Sequence, residues 1–193
     1  MGIALHKRKS SGSTLMTEGS IWKHILFFSI PLILGNMLQQ LYNTVDSIVV
    51  GNFLGSEALA AVGSSSSLIM LLISFSMGAA AGAGVIVSQF IGAQNKKGIH
   101  ESVHTALAIA LILGVVLTAA GLILSPQILR WMGTPEEVMP QSITYLRLYF
   151  AGVIFSILYN MASGILNAVG NSKRALLYLA IASFTNIILD LLF

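Results

Sequence analysis

Gly35-Asn36-Met37-Leu38-Gln39-Gln40-Leu41-Tyr42-Asn43-Thr44-Val45-Asp46 lies inside an otherwise apolar stretch, residues 25–50. A stretch of that length predicts a helix that crosses a bilayer, since about 20 apolar residues at 1.5 Å each span its hydrocarbon core. Asn36, Gln39, Gln40, Asn43 and Asp46 recur at offsets of 0, 3, 4, 7 and 10. That spacing is one face of a helix with 3.6 residues per turn. Such a stripe cannot face lipid, because each unsatisfied polar group costs several kcal/mol in hydrocarbon. It must face protein or a water-filled cavity.

Four further apolar stretches follow, at 58–88, 105–124, 148–166 and 175–193. Over the 193 residues, 55 % are hydrophobic, 9 % are charged and mean hydropathy is +0.85. Soluble domains carry about a quarter charged residues, so a water-soluble enzyme is excluded. Disorder is excluded by the abundance of Leu, Ile and Val. The absence of cysteine rules out disulfides, zinc–thiolate sites and iron–sulfur clusters within the chain. No basic patch interleaved with aromatics is present, so no nucleic-acid partner is expected. The fold class is all-α, a polytopic membrane bundle of five helices. The expected organisation is a tail over 1–21 and a membrane domain over 22–193. Its helices are placed at about 22–50, 57–91, 99–125, 135–167 and 173–193.

The basic residues set an orientation. Lys7, Arg8, Lys9, Lys23, Lys96, Lys97, Lys173 and Arg174 flank one set of helix ends, and only Arg130 and Arg147 flank the other. The positive-inside rule then puts the N-terminus in the cytoplasm of a cell whose plasma membrane holds the chain. The basic start and apolar run resemble a signal peptide, but no small-residue cleavage site follows and the helix continues past Asn36, so the first helix is expected to be retained.

Local signals punctuate the bundle. Thr134-Pro135-Glu136-Glu137 has the form of a capping box, which predicts that the fourth helix starts there. Gly170-Asn171 predicts a turn. Gly78 and Gly82, four apart, predict close helix–helix approach. Pro31 is either a hinge or a kink near the membrane edge.

The fifth helix repeats the polar pattern with Ser183, Asn186 and Asp190, at offsets 0, 3 and 7. Asp46 and Asp190 are the acids deep inside spans, and intramembrane acids are candidate functional sites. Asp190 lies 15 residues, roughly 22 Å, from residue 175, and Asp46 lies 21 residues, roughly 31 Å, from Ile25. Both fall in the outer half, where two acids at similar depth can share one cation. A buried carboxyl can also hold a proton near neutral pH. The alternative is that each sits at the outer interface and reaches water.

His100-Glu101-Ser102-Val103-His104 reads H-E-x-x-H, a zinc hydrolase signature when helical. An intramembrane zinc metalloprotease is therefore an alternative, with Asp190 as third ligand. The motif sits at the inner edge of the third helix, however, and Asp190 in the opposite leaflet. The alternative reading is an interfacial polar turn.

Several segments in order resemble the amino-terminal part of multidrug and toxic compound extrusion (MATE) transporters. They are Pro31-Leu32-Ile33, Gln39-Gln40-Leu41-Tyr42-Asn43-Thr44-Val45-Asp46, Val50-Gly51, Leu54-Gly55, Val87-Ser88-Gln89-Phe90-Ile91-Gly92-Ala93, Trp131-Met132-Gly133-Thr134-Pro135-Glu136-Glu137-Val138 and Gly164-Ile165-Leu166-Asn167-Ala168-Val169-Gly170-Asn171, with Asn186 and Asp190 beyond. The resemblance implies a twelve-helix secondary antiporter of two six-helix lobes, not an enzyme. It would export cationic or amphiphilic drugs against Na⁺ or H⁺. Asp46, Asn186 and Asp190 match the coupling-ion positions, with Na⁺ possible at Asp46 and Asp190. Asn36, Gln39, Tyr42, Asn43 and Asn160 are the expected polar lining of the cavity. No cofactor is implied beyond the coupling ion. Family members are longer, so the chain is expected to be an incomplete N-terminal lobe that pairs with a C-terminal half in membrane lipid. A lipid-linked saccharide flippase of the same superfamily is a second reading, against which the acidic pair argues.

Overall fold

The computed structural model describes residues 21–49, 51–52 and 55–192, leaving aside the side chains of residues 21, 24, 55–59, 190 and 191. The expected tail, with His6, Lys7, Arg8 and Lys9, lies outside the described residues, as do the side chain of His24 and residues Val50, Leu54 and Phe193. Five helices follow in order: α1 Ile21–Val49, α2 Gly55–Gly92, α3 Lys96–Trp131, α4 Met139–Ala168 and α5 Ser172–Leu192. Among the described residues, α1 to α4 each contain a stretch long and apolar enough to cross a membrane. At 38 and 36 residues, α2 and α3 measure about 57 and 54 Å, well beyond a hydrocarbon core of about 30 Å. They tilt or project past the lipid. Ile123, Leu148, Phe155 and Phe184 are 72–74 % exposed, the apolar surface that lipid, not water, covers.

Three helix ends share one device. Gly133 and Gly170 take positive φ, 71° and 79°, and Gln94 takes 54°. At each, paired bonds close the last turn: Asn95 N to Phe90 O with Gln94 N to Ile91 O, Thr134 N to Leu129 O with Gly133 N to Arg130 O, and Asn171 N to Leu166 O with Gly170 N to Asn167 O. This is the Schellman pattern, and the left-handed residue turns the chain back. The turn predicted at Gly170-Asn171 is this one. Asn95 then caps α3, its Oδ1 accepting from Gly98 N at 3.0 Å.

Helix α4 begins later than its capping-box motif predicted. Its N-cap is Val138, without a side-chain cap bond, and Pro140 occupies its first turn. Residues 135–138 instead form turns closed by Val138 N to Pro135 O. The Schellman turn holds Thr134, and its buried Oγ1 has no partner among the described residues. The backbone of Thr134 belongs to the preceding helix end, which overrides its own capping tendency.

Helices α2, α3 and α4 form the packed core. Ser64 and Ser142 hydroxyls meet at 3.0 Å near one end, and Gly84 meets Gly164 near the other, so α2 and α4 run parallel. Helix α3 runs antiparallel to both, with Gly114 against Ile154, Gly121 against Phe150 and Gly98 against Phe90. A Cβ at Gly164 would lie 2.7 Å from the Ala80 carbonyl, and one at Gly121 would enter the Phe150 ring. Glycine there permits backbone contact that dispersion and close packing reward. Gly78 and Gly82 do not serve this purpose: a Cβ on either meets nothing within 4 Å. The close approach uses Ala80 and Gly84 instead, which lie two positions further along and so on a different face of α2.

Helix α1 packs chiefly on α5, and α5 meets α4 along a smaller seam. Gly35 faces Leu176 and Leu179, and Ser172 Oγ lies 3.5 Å from Phe28 O. The two helices therefore run parallel. Lys23, Lys96, Lys97, Lys173 and Arg174 all fall at helix starts on one end of the bundle, called here the basic end.

Candidate functional site

A cavity of about 460 Å³ opens where the α1–α5 pair meets the core. Helix α1 contributes Gln39, Tyr42, Asn43 and Asp46, α4 contributes Asn160, and α5 contributes Ser183 and Asn186. Ile69 and Ile73 of α2 close one side. A second cavity of about 620 Å³ adjoins it between α1 and α2, lined by Asn36, Gln39, Gln40, Asn43 and Asp46. The two share Gln39, Asn43, Asp46 and Tyr145. The α1 stripe thus turns toward protein cavities, as the cost of exposing it to lipid requires.

The structure gathers Gln39, Tyr42, Asn43, Asp46, Asn160 and Asn186 around one space, with Asn36 in the adjoining one. The side chain of Asp190 lies outside the described residues, although its backbone belongs to α5. Tyr145, Tyr149 and Tyr159, with Ser156, also line the first of these cavities. Sequence reasoning missed these four. Their spacing of 0, 4, 11 and 14 along α4 carried the signal, but tyrosine passes for an apolar residue in a hydropathy reading.

The chemistry of the lining is acid, amide and phenol. The described residues around the two cavities include Asp46 and no lysine, arginine or histidine. An ionised carboxylate in a low-dielectric site is stabilised by a nearby cation or neutralised by a proton. Amide, hydroxyl and carboxylate oxygens are the donors that hard cations take.

The H-E-x-x-H segment lies in the first turns of α3, at the basic end. His100 and His104 stack with ring centroids 4.0 Å apart, and His104 Nδ1 is 2.8 Å from the His100 carbonyl. Glu101 lies 3.7 Å from Lys97. Among the described residues no group of three His, Cys, Asp or Glu side chains could hold a metal. Asp190 is 18 residues, about 27 Å, along α5 from that end. The segment is an interfacial helix start.

The MatE family model matches residues 31–192. The chain belongs to the MATE family. Among curated MATE-like relatives, the probable multidrug resistance protein YpnP of Bacillus subtilis is 36 % identical over 92 % of this chain and 40 % of its own length. YoeA of the same organism, also a probable multidrug resistance protein, is 38 % identical over 90 % of this chain and 37 % of its own length. A crystal structure of a MATE in complex with MaD3S superposes with a TM-score of 0.83 at 35 % identity, covering 89 % of this chain and 38 % of that one. A MOP superfamily transporter from Pyrococcus furiosus gives the same values. The chain therefore spans about two fifths of the length of its MATE relatives, and it is a multi-pass, all-helical membrane protein.

Proposed function

We propose that the chain is the amino-terminal lobe of a secondary multidrug efflux transporter, a Na⁺- or H⁺-coupled antiporter for cationic or amphiphilic compounds. Its second lobe, supplied by a C-terminal half, would complete the substrate cavity. In this reading it sits in the plasma membrane with its basic end and N-terminus in the cytoplasm. The observation that carries the reading is one cavity that collects Asp46 with Gln39, Tyr42, Asn43, Asn160 and Asn186. Multidrug resistance relatives support it.

Asp46 is the coupling carboxylate. Asn186 and Asn43 orient oxygen or N–H groups toward whatever occupies it, and Asp190 from α5 is the second acid. Loading Asp46 with H⁺ or Na⁺ removes a negative charge from the cavity wall. A drug cation is then held less strongly, and release follows. The change reaches the fold through α1, which carries most of the stripe and packs chiefly on α5. Ion and drug shift this equilibrium only as far as they bind its two packings with different affinity. In cells making the complete transporter, Asp46→Asn is expected to abolish ion-coupled ethidium efflux with expression intact. Unchanged ethidium export would remove Asp46 from coupling.

A further inference from the structure

Helix α4 carries a polar stripe of its own. Tyr145, Tyr149, Ser156, Asn160, Ser163 and Asn167 stand at offsets 0, 4, 11, 15, 18 and 22, within an arc of about 60° at 100° per residue. The core residues Leu146, Phe150, Val153, Ile157 and Met161 occupy the neighbouring arc. The stripe therefore borders the core without entering it, and it runs almost the full length of the helix.

Its two halves line different cavities. Tyr145 to Asn160 face the acid cavity. Asn160, Ser163 and Asn167 line a separate cavity of about 440 Å³, with Ser88 of α2 and Phe28 of α1. Asn160 belongs to both. It is held by a bond from its Nδ2 to the Ser156 carbonyl at 2.9 Å. Eight residues, about 12 Å, separate Asn160 from Ala168 at the basic end of α4. Ser88 is four residues from the end of α2. The second cavity thus occupies the space between the acid cavity and the basic end.

The polar atoms there are incompletely satisfied. Asn167 Oδ1 is buried and has no hydrogen-bond partner among the described residues. A buried amide oxygen is costly unless water or an ion reaches it. Amides and hydroxyls of Asn160, Ser163, Asn167 and Ser88 line the cavity together with the apolar Phe28, Met77 and Ala80. Among the described residues no carboxylate lines it, so it can solvate a cation without retaining it, as a pathway requires.

We infer that this second cavity is a hydrated exit for the coupling cation, leading from the Asp46 site past Asn160, Ser163 and Asn167 to the basic end. The inference rests on Asp46 being the coupling site. Asn160 is the constriction, common to the loading cavity and the exit. The cargo is a small positive charge solvated by neutral oxygens, either Na⁺ or a proton carried by water.

The chain has no cysteine, so single thiols report hydration directly. Ser163→Cys, Asn167→Cys and Phe155→Cys would each be placed in the complete transporter, otherwise free of cysteine, in vesicles of known orientation. Phe155 is on a different face of α4, about 80° round from Ser163 at 100° per residue, and is 73 % exposed. A membrane-impermeant cationic thiosulfonate added at the basic side should modify Ser163→Cys and Asn167→Cys, and leave Phe155→Cys unmodified. Modification no faster than at Phe155→Cys, or only from the far side, overturns the exit. A second variant, Asn167→Leu, should slow cation-driven efflux about tenfold, the equivalent of about 1.4 kcal/mol in a barrier, while Na⁺ or acid still protects the protein against heat. Unaltered efflux in Asn167→Leu also overturns it. Thiol labelling does not depend on Asp46. Loss of labelling with Asp46→Asn inactive removes the exit alone, whereas full coupling in Asp46→Asn removes the coupling site and with it the exit's cargo.

Discussion

The α2–α3–α4 core and the α1–α5 pair are built from the same apolar alphabet but solve different problems. In the core, glycine lets neighbours approach closely: Gly164 lies against the Ala80 backbone, Gly114 against Ile154 and Gly121 against the Phe150 ring. Apart from the Ser64–Ser142 pair, serines such as Ser76 and Ser125 bond back to their own helices, to Leu72 and Gly121, which satisfies them without a partner helix. The α1–α5 pair instead spends its polar side chains on a cavity, and α1 has few contacts beyond α5. Close packing leaves little room for alternative arrangements. A helix bordered by cavities has room to repack. On the proposed reading the core is the frame and α1 the part that would repack.

Breaking the frame should produce the largest effect on stability. Gly164→Leu would force α2 and α4 apart, costing about 3 kcal/mol or more. Detergent-solubilised protein should aggregate or melt many degrees lower in a thermal shift assay. Near-normal melting would mean that the glycine contact does not hold the frame.

Asp46→Asn should do the reverse. It is expected to change stability by about 0.5 kcal/mol or less, as isosteric changes away from the core do, while ion-coupled efflux is lost. Parallel melting curves and efflux traces of the two variants separate frame from moving part. A large stability loss in Asp46→Asn would blur the distinction.

Asn186→Ala should weaken coupling-ion affinity about tenfold, the scale of one lost hydrogen bond to a charged group. Titrating efflux against Na⁺ at fixed pH, and against pH without Na⁺, measures that shift and identifies the ion. The smallest effect is expected at the basic end. His100→Ala and His104→Ala remove a stacked pair that touches neither cavity, so efflux should stay within the error of the assay. Stoichiometric zinc lost on His100→Ala would instead revive a metal site.

The site was more legible than the packing. The stripe from Asn36 to Asp46 could be read because amides and a carboxylate have no place in lipid, and its period named the face. Asn186 was legible for the same reason, in step with Ser183, whereas Asn160 was named only through the resemblance to the family. Tyr145, Tyr149 and Tyr159 were not, because a phenol is mostly hydrocarbon and only its surroundings reveal which end matters. Small residues misled at Gly78 and Gly82. Their spacing permits close approach, but the partner helix decides which face receives it, and it chose Ala80 and Gly84. Thr134 misled because a tight turn held its backbone. The pairing of α1 with α5 joins segments more than a hundred residues apart, which no local pattern encodes.

The most direct test is heat protection by the coupling ion. Melting of the purified complete transporter would be recorded across Na⁺ concentration and pH, for the native protein and for Asp46→Asn. A site that binds the folded state raises its stability with ligand concentration. The account predicts that Na⁺ or acid protects the native protein and that Asp46→Asn loses this protection. Equal protection of both proteins would contradict it, because the ion would then bind somewhere other than the Asp46 cavity.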